Sequence, residues 1–524
     1  MANRGEIALR VFRAARALGL GAVAVAGPGD EDALHARAAD ETVAIASYLE
    51  PEEHLRAARE TGADAIHPGY GFLAENGGFA EAVEAAGLTW VGPPPAALRA
   101  GGDKLAAKRI AAEAGVATIP ETDTPPLIVK AAAGGGGRGM RVVLDPADLD
   151  AALEAARREA KAAFGDDRVY LERYLERPRH VEIQLLADGN GTVLSLGERD
   201  CSVQRRHQKV LEESPSPAVD PALRAQLGDA AVRFARAIGY VGAGTAEFVL
   251  DGRDFYFLEL NARIQVEHPV TELVTGVDLV QWQLRIAQGE PLEPVRNSLL
   301  QGHAVEVRLY AEDPRTFLPQ AGRVQRLRLP EGIRVDAGVE EGDEIGTGYD
   351  PMIAKLIAHG ETRTGALDRL AAALAETEVG GVSTNLSFLR WLVAHPVVRA
   401  GEATTAFLTE HPPLSAPPPR LPDPVWRGPF RLNLPSPPLQ APPELAALEH
   451  AGESSDTVVA PMPGTVIKVH TRAGERVAAH APLVVLEAMK METPLTAPFD
   501  GTVRAVHVRE GEHVDRGAIL VELD

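Results

Sequence analysis

The chain has 524 residues, 45% of them hydrophobic and 24% charged, which is enough for about three or four globular domains. The formal net charge of −21 argues against a nucleic-acid or anionic-membrane partner. The single cysteine, Cys201, excludes an intrachain disulfide. Because no apolar run reaches transmembrane length and no secretory signal is present, we expect a cytoplasmic protein without membrane contact.

Short apolar strands alternate with helical stretches over residues 1–100. The pattern predicts a strand at residues 22–25, a helix at 52–61 and a strand at 65–66. Such alternation is typical of an α/β domain with a parallel sheet.

A glycine-rich segment follows a predicted strand that ends in Lys130. Its glycines are Gly134, Gly135, Gly136 and Gly137. Glycines let backbone N–H groups approach phosphate oxygens, but no Gly-Lys-Ser/Thr ending marks a P-loop. Without other evidence, a flexible linker is an equally good interpretation. An amphipathic helix is predicted next, over residues 149–164.

Polar residues occupy every odd position from Glu259 to Glu267, and apolar residues occupy every even one. This period predicts a strand with one polar face, which is either functional or simply solvated. A loop at residues 252–254 would place Glu247 opposite Glu259 in a hairpin. Two opposed carboxylates repel unless a cation lies between them, so the hairpin predicts a Mg²⁺ site.

Residues 300–410 return to a mixed α/β pattern, and a proline-rich segment follows. Between Pro412 and Pro443 lie 13 of the 40 prolines, a density that indicates a linker.

The C-terminal region contains an internal repeat. Residues 460–466 recur as residues 497–503, which is 37 positions later. Two copies of a short β unit predict a small sandwich with pseudo-two-fold symmetry. Lys490 falls on the connection between the copies, where we expect it to be exposed.

The tip sequence from Glu487 to Glu492 resembles the attachment site of a biotinyl carrier domain, because Met489 and Met491 flank Lys490. An ordinary surface lysine is the simplest alternative. Lipoyl domains share the architecture, but their lysine usually follows an aspartate, so biotin is favoured.

Residues 3–410 resemble a biotin carboxylase of the ATP-grasp superfamily. The motifs that carry the resemblance lie at residues 2–8, 65–73, 102–104, 179–182, 200–209 and 265–269. The fold class implied is α/β and α+β, followed by an all-β biotinyl/lipoyl-type sandwich. The implied domains are an N-terminal α/β domain (1–100), an ATP-grasp domain (101–298, lid about 115–185), a C-terminal domain (299–411), the linker (412–455) and the carrier (456–524).

The resemblance also implies a role for individual residues. ATP would be bound by Lys104, Lys130, His180 and the glycine loop, with Glu172 and Leu175 at the adenine and Gln204 and His207 at the ribose. Mg²⁺ (or Mn²⁺) would be held by Glu247, Glu259 and Asn261. Bicarbonate would be bound by Arg263, Gln265 and Val266, with Glu267 as its base. Lys209 would hold carboxyphosphate, and Arg308 would stabilise the biotin enolate.

The implied activity is ATP- and bicarbonate-dependent carboxylation of biotin on Lys490, as the α subunit of an acyl-CoA carboxylase of the acetyl-, propionyl- or 3-methylcrotonyl-CoA type. The implied partners are a separate carboxyltransferase β subunit, a biotin protein ligase and further copies in an oligomer.

The sequence departs from the family in three places. An apolar strand usually precedes Asn3, and we expect a start codon placed too late to explain its absence. The segment between Val116 and Pro126 is shorter than usual, and the folded docking domain that often precedes the carrier is missing. A rival hypothesis is therefore an ATP-grasp body of weak or no activity that serves only as a biotin carrier protein.

Overall fold

A computed structural model of the protein describes residues 1–132, 140–205, 208–412, 457–488, 491–515 and 517–524. Within these ranges no helix combines the length and the apolar character needed to cross a lipid bilayer. Apart from Pro412, the predicted linker lies outside the described residues.

The N-terminal region alternates helices and short strands, as the sequence predicted. Helix α3 begins at Pro51, whose fixed φ suits a first helical turn, and ends before Gly62, which has a φ of 65°. The elements are α1 (Gly5–Ala17), β1 (Val23–Ala26), α2 (Leu34–Ala38), β2 (Glu41–Ala44), α3 (Pro51–Thr61), β3 (Ala65–Ile66), α4 (Gly77–Ala85) and β4 (Thr89–Trp90).

The strands of this region form two separate parallel pairs, β1 with β2 and β3 with β4, rather than one continuous sheet. The amino group of Met1 donates to the carbonyl of Val23 (2.8 Å), and the N–H of Ala2 donates to the carbonyl of His67 (2.9 Å). Beyond these contacts a cleft of about 540 Å³ separates the pairs, and its apolar lining includes Phe12, Val91 and Leu284. The predicted parallel pairing is correct, but the predicted single sheet is interrupted.

The middle of the chain builds a three-stranded sheet and most of a larger sheet. In the smaller sheet β5 lies between β6 and β7, and α7 packs on Leu127, Val129 and Val143. The elements are α5 (Pro95–Gly102), α6 (Lys104–Glu113), β5 (Leu127–Ala131), β6 (Arg141–Val143), α7 (Leu149–Phe164), β7 (Val169–Arg173), β8 (Arg179–Ala187), β9 (Val193–Arg205), β10 (Gln208–Ser214), α8 (Pro221–Ala237), β11 (Gly242–Asp251), β12 (Asp254–Asn261), α9 (His268–Thr275) and α10 (Leu279–Ala287).

The larger sheet has eight strands in the order β12-β11-β8-β9-β10-β13-β18-β16. Its C-terminal half packs against the following helices through apolar residues such as Val305, Leu356, Leu370 and Leu389. The remaining elements are β13 (His303–Tyr310), β14 (Gly322–Arg323), β15 (Arg326–Arg328), β16 (Arg334–Ala337), β17 (Glu344–Ile345), β18 (Met352–Gly360), α11 (Arg363–Glu376), β19 (Glu378–Gly380), α12 (Leu386–Ala394), α13 (Pro396–Ala400) and α14 (Phe407–Glu410).

The C-terminal region is a sandwich of two four-stranded sheets, β20-β27-β25-β22 and β24-β23-β21-β26. Strands β25 and β26 begin and end 37 residues after β21 and β22, which confirms the repeat. The strands are β20 (Thr457–Val459), β21 (Gly464–Val469), β22 (Arg476–Val477), β23 (Pro482–Ala488), β24 (Met491–Thr496), β25 (Gly501–Val506), β26 (His513–Val514) and β27 (Ile519–Leu523). Lys490 lies outside the described residues, and on either side of it Ala488 pairs with Met491.

Candidate active site

Most of the predicted site residues line one cavity of about 530 Å³ between the smaller sheet and one face of the larger sheet. These residues are Lys104, Lys130, His180, Gln204, Lys209, Glu247, Glu259, Asn261, Arg263, Gln265, Val266, Glu267 and Arg308. Two predicted residues, Glu172 and Leu175, are not part of the lining. The others, His207, Lys490 and Gly134 to Gly137, lie outside the described residues.

The hairpin of β11 and β12 places Glu247 directly opposite Glu259, as predicted. The route differs from the prediction, because Asp251 pairs with Asp254 and leaves a turn of two residues instead of three. A bulge between Glu247 and Phe248 then restores the register. The sequence could not show this bulge, because it contains no glycine or proline at that point.

Strand β12 ends at Asn261, so the prediction of a strand continuing to Glu267 is wrong. Residues 262–267 form an irregular segment that leads into α9 at His268. The segment is held by side chains: Gln265 donates to Glu247 (2.9 Å) and accepts from Arg199 (3.0 Å). Gln265 and Glu267 are 3% and 2% exposed, so their polar side is buried and not a solvated strand face.

Lys209 is the cationic centre of the cavity. Its ammonium group donates to Glu247 (2.8 Å), to Glu267 (2.6 Å) and to Glu182. Burial alone would lower the pKa of Lys209, but the three carboxylates outweigh burial and raise the pKa well above its ordinary value. The ammonium group therefore stays charged.

Glu267 lies between two cations. One carboxylate oxygen accepts from Lys209 and the other accepts from Arg308 (3.0 Å). Burial raises the pKa of Glu267, but Lys209, Arg308 and Arg199 more than compensate and hold the pKa below its usual range. Glu267 is thus an ionised carboxylate that can accept a proton.

Arg308 is also bound by Glu212, which accepts from its Nε at 2.6 Å. Glu212 is fully buried, and burial is the main reason why its pKa rises to about 7. Arg308 offsets part of this rise and Glu267 adds to it. Arg308 is therefore fixed between two carboxylates of different basicity.

His180 joins the metal candidates to the predicted ribose site. Its Nε2 lies 2.9 Å from Glu247, and the amide of Gln204 lies 2.7 Å from its Nδ1. Burial lowers the pKa of His180, but the Glu247 carboxylate outweighs burial and raises it.

The predicted phosphate-binding lysines are paired with carboxylates. Lys104 lies 3.2 Å from Glu259, and Lys130 lies 2.7 Å from Glu172. Glu172 also accepts from Lys108 at 2.6 Å, so this carboxylate is enclosed by two lysines. An arriving phosphate would compete with these carboxylates for the two lysines of the cavity.

The sequence prediction missed Lys108, Glu182 and Glu212. Glu182 could have been found, because it follows His180 at the strand period of two and so shares its face. Lys108 and Glu212 have no comparable signal, since their partners are remote in sequence.

The oxygen atoms of Glu247, Glu259 and Asn261 fit a hard divalent cation such as Mg²⁺ or Mn²⁺. They lie on two paired strands, and Asn261 donates to Glu247 at 2.8 Å. The carboxylates are matched by Lys104 and Lys209, so a cation bound together with phosphates would replace existing ion pairs.

Comparison with known families covers nearly the whole chain. The profile described as biotin carboxylase, N-terminal domain matches residues 1–98, and that of the carbamoyl-phosphate synthase L chain, ATP binding domain matches residues 103–295. The biotin carboxylase C-terminal domain matches residues 306–410, and the biotin-requiring enzyme profile matches residues 456–523.

Individual proteins agree with these profiles. The biotin carboxylase of Halalkalibacterium halodurans is 47% identical over 437 residues, which cover 78% of this chain and 97% of that protein. The propionyl-CoA carboxylase alpha chain of Ruegeria pomeroyi is 46% identical over 460 residues, 79% of this chain and 68% of that protein.

Among solved structures, the biotin carboxylase domain dimer of Hydrogenobacter thermophilus 2-oxoglutarate carboxylase, in complex with MgADP, ADP and bicarbonate, has a TM-score of 0.76. It is 43% identical, and the match covers 78% of this chain and 96% of that chain. The chain therefore belongs to the biotin carboxylase family and carries, in the same polypeptide, a C-terminal module of the biotin-requiring enzymes.

Proposed function

We propose that this chain uses ATP and bicarbonate to carboxylate biotin attached to Lys490, as the α subunit of an acyl-CoA carboxylase. The observation that carries the proposal is the single cavity in which Glu247 and Glu259 face each other, Lys209 contacts both Glu247 and Glu267, and Glu267 lies between Lys209 and Arg308. Nucleotide phosphates suit the end of the cavity with Glu247 and Glu259, and a small anion suits the end with Glu267 and Arg308.

At the nucleotide end, Lys104 and Lys130 bind phosphates, and His180 and Gln204 contact the nucleotide. The same proposal assigns Leu175 and Glu172 to the adenine, His207 to the ribose, and Gly134 to Gly137 to a lid. Glu247, Glu259 and Asn261 hold Mg²⁺, which supplies positive charge to the phosphate oxygens.

At the other end, Arg263, Gln265 and Val266 bind bicarbonate, and Glu267 takes its proton. The freed bicarbonate oxygen attacks the γ-phosphorus atom, the bond to ADP breaks, and carboxyphosphate forms. Lys209 holds this anion through its charged ammonium group. The phosphate oxygens then compete for this group with the three carboxylates that pair with it.

Biotin supplies the ureido nitrogen that accepts the carboxyl group: the bond between the carboxyl carbon and the phosphate oxygen of carboxyphosphate breaks, inorganic phosphate leaves, and this phosphate takes the proton of the ureido N–H. Arg308 places positive charge where negative charge develops during this transfer, and Glu212 and Glu267 fix its guanidinium group.

The same proposal includes the partners. A biotin protein ligase loads Lys490, and a separate carboxyltransferase β subunit receives the carboxyl group and selects the acyl-CoA. We also propose an oligomer and a cytoplasmic location, where ATP and bicarbonate are both supplied.

The experiment measures ADP release by the purified chain with Mg²⁺, ATP and free biotin. We expect ADP release to require bicarbonate and to rise with biotin. A folded protein that binds ADP but forms no ADP from ATP in the presence of bicarbonate would instead support the carrier-only hypothesis. The charged residues that surround Lys209 favour the enzyme, because a scaffold has no use for this buried set of charges.

A further inference from the structure

Two motifs of the N-terminal region have no place in the proposed reaction. They span residues 2–8 and 65–73, and none of their residues lines the cavity. Several of their polar side chains are nevertheless buried, including Glu6, which is 5% exposed. Burying a carboxylate is costly unless it is paired, so its partners indicate its purpose.

Glu6 forms an ion pair with Lys355 on β18. The Tyr70 hydroxyl donates to Glu6 Oε1 (2.5 Å), and the same oxygen lies 3.1 Å from the ammonium nitrogen of Lys355. On the neighbouring strand β16, Asp336 lies 3.8 Å from that nitrogen. The first motif therefore contacts Lys355 directly and the second reaches it through Glu6, and this lysine is 0% exposed.

The ammonium group of Lys355 reaches the bicarbonate segment. It donates to the backbone carbonyl of Val266 at 2.9 Å. That carbonyl shares a peptide plane with the N–H of Glu267, so the bond restrains the orientation of this plane. Residues 262–267 are not part of a sheet, and such a segment depends on side-chain contacts for its position.

We propose that Lys355 is a positioning residue that holds Val266 and Glu267 in place for bicarbonate, and that Glu6 and Tyr70 hold Lys355 in turn. The inference rests on the proposed function, in which bicarbonate binds to Arg263, Gln265 and Val266. An ammonium group has three protons, and in this structure a carbonyl and two carboxylates surround it. The N-terminal motifs thereby act on the reaction without touching a substrate.

The test compares Lys355→Met with Arg10→Met. Arg10 is a matched control because it is also buried at 5% exposure, and its ion-pair partners are Glu272 and Asp278 rather than the backbone of residues 262–267. We expect Lys355→Met to lower kcat/KM for bicarbonate by about 100-fold while the KM for ATP changes by less than about threefold. Arg10→Met should reduce thermal stability without changing the ratio of the two KM values.

A second measurement does not depend on turnover. Amide hydrogen exchange of the peptide that covers residues 262–268 should be about tenfold faster in Lys355→Met than in the wild type or in Arg10→Met. Equal exchange in the two variants, or an equal rise of both KM values, would overturn the inference. A wild type that shows no bicarbonate-dependent turnover would contradict the proposed function instead, and hydrogen exchange would still decide the role of Lys355.

A milder variant covers the case in which Lys355→Met does not fold. Tyr70→Phe removes only the hydroxyl that donates to Glu6. We expect a rise of about threefold to tenfold in the KM for bicarbonate, and no further rise when Glu6→Gln is added, because both changes break one chain of contacts. Fully additive effects would show that the two residues act separately, against the proposal.

Discussion

Glu267 combines a low basicity at rest with a proposed role as the base. Lys209 and Arg308 stabilise its ionised form, and in the proposed reaction both also bind anions. When phosphate and bicarbonate draw these cations away, the carboxylate loses stabilisation and becomes a stronger base. The cations around Glu267 thus keep the base ionised until its substrates arrive.

We expect Glu267→Gln to reduce bicarbonate-dependent ADP release by about 10²- to 10⁴-fold, the usual contribution of a general base. The amide keeps the size of the side chain but cannot take a proton. Calorimetric titration with ADP should give a Kd within about threefold of the wild type. A comparable loss of ADP binding would contradict the assigned role.

From the raised pKa of Glu212 we expect pH to have opposite effects on activity and on stability. Its pKa rises to about 7 from 4.5, mainly because of burial, so the native state binds its proton more tightly than the unfolded state. Its contribution to stability is therefore fully present below pH 4.5 and is lost as the pH rises through 7. Activity should instead fall below about pH 7, because protonated Glu212 no longer balances Arg308.

The measurement is a pH profile of kcat for the wild type and for Glu212→Gln. The variant should have lower activity at pH 8, and the acidic limb near pH 7 should be absent. An unchanged limb would assign that titration to another group.

Single residues also show what the sequence could predict. Glu259, Gln265 and Glu267 were found from their alternation, although the strand assumed for them ends at Asn261. They still meet because Gln265 is bound by Glu247 and Arg199, two contacts that no local pattern contains. Glu212 was missed for the same reason, since its partner Arg308 is far away in the chain.

At the scale of elements, hydrophobic periodicity and turn residues predicted helices and strands well where the signal was local in sequence. Helix α7 agrees with the sequence, and the predicted repeat is confirmed by strand pairs of the carrier that recur 37 residues later. The hairpin was right in its Glu247–Glu259 pair but wrong in its loop, because an internal bulge offset the shorter turn. Strand order in the large sheet depends on long-range pairing, which the sequence pattern does not encode.

The loop after β3 contains a histidine that should make stability sensitive to acid. His67 Nδ1 accepts from the N–H of Gly69 (3.0 Å), and Nε2 faces Gln283 (3.2 Å), which fits the neutral ring. Burial lowers its pKa to about 4 from 6.5. Between pH 6.5 and pH 4 the His67 ring takes up a proton in the unfolded state but not in the folded state. The free energy of unfolding therefore falls as the pH drops from 6.5 towards 4, by about 2 kcal/mol at pH 5.

Calorimetric scans at pH 7 and pH 5 check this expectation against His67→Gln. The variant should be less stable at pH 7 but should lose less on acidification, because glutamine does not titrate. An equal loss in both proteins would exclude His67 as the source.

At the scale of the whole molecule, we propose that residues 1–411 catalyse the reaction and that the carrier module (456–524) holds the biotin. The proposed attachment site is one of the two lysines in residues 457–524, Lys468 and Lys490. The domain limits and the linker at residues 412–455 stay predictions from the sequence. Their test is functional, because the carrier must deliver its lysine to the cavity.

Lys490→Arg should abolish avidin-reactive label and leave carboxylation of free biotin within about twofold of the wild type. Arginine keeps the charge, but a guanidinium group is not an acceptor for the ligase. Lys468→Arg, in the same module, serves as the control and should keep the label. Label that persists in Lys490→Arg, seen on a blot or by intact mass, would refute the attachment site.

The cleft of about 540 Å³ between β1 and β3 is lined by both strands and by Met1. The terminal ammonium group is buried beside it, and burial lowers the pKa of that group to about 5. An extra stretch of about five apolar residues joined to Met1 would replace this buried amino group with an amide and offer hydrogen bonds to both facing strands. Such an extension should raise the melting temperature by roughly 5 °C, whereas a glycine-serine stretch of equal length should not. The fold can thus be strengthened from its first residue without altering a single side chain of the cavity.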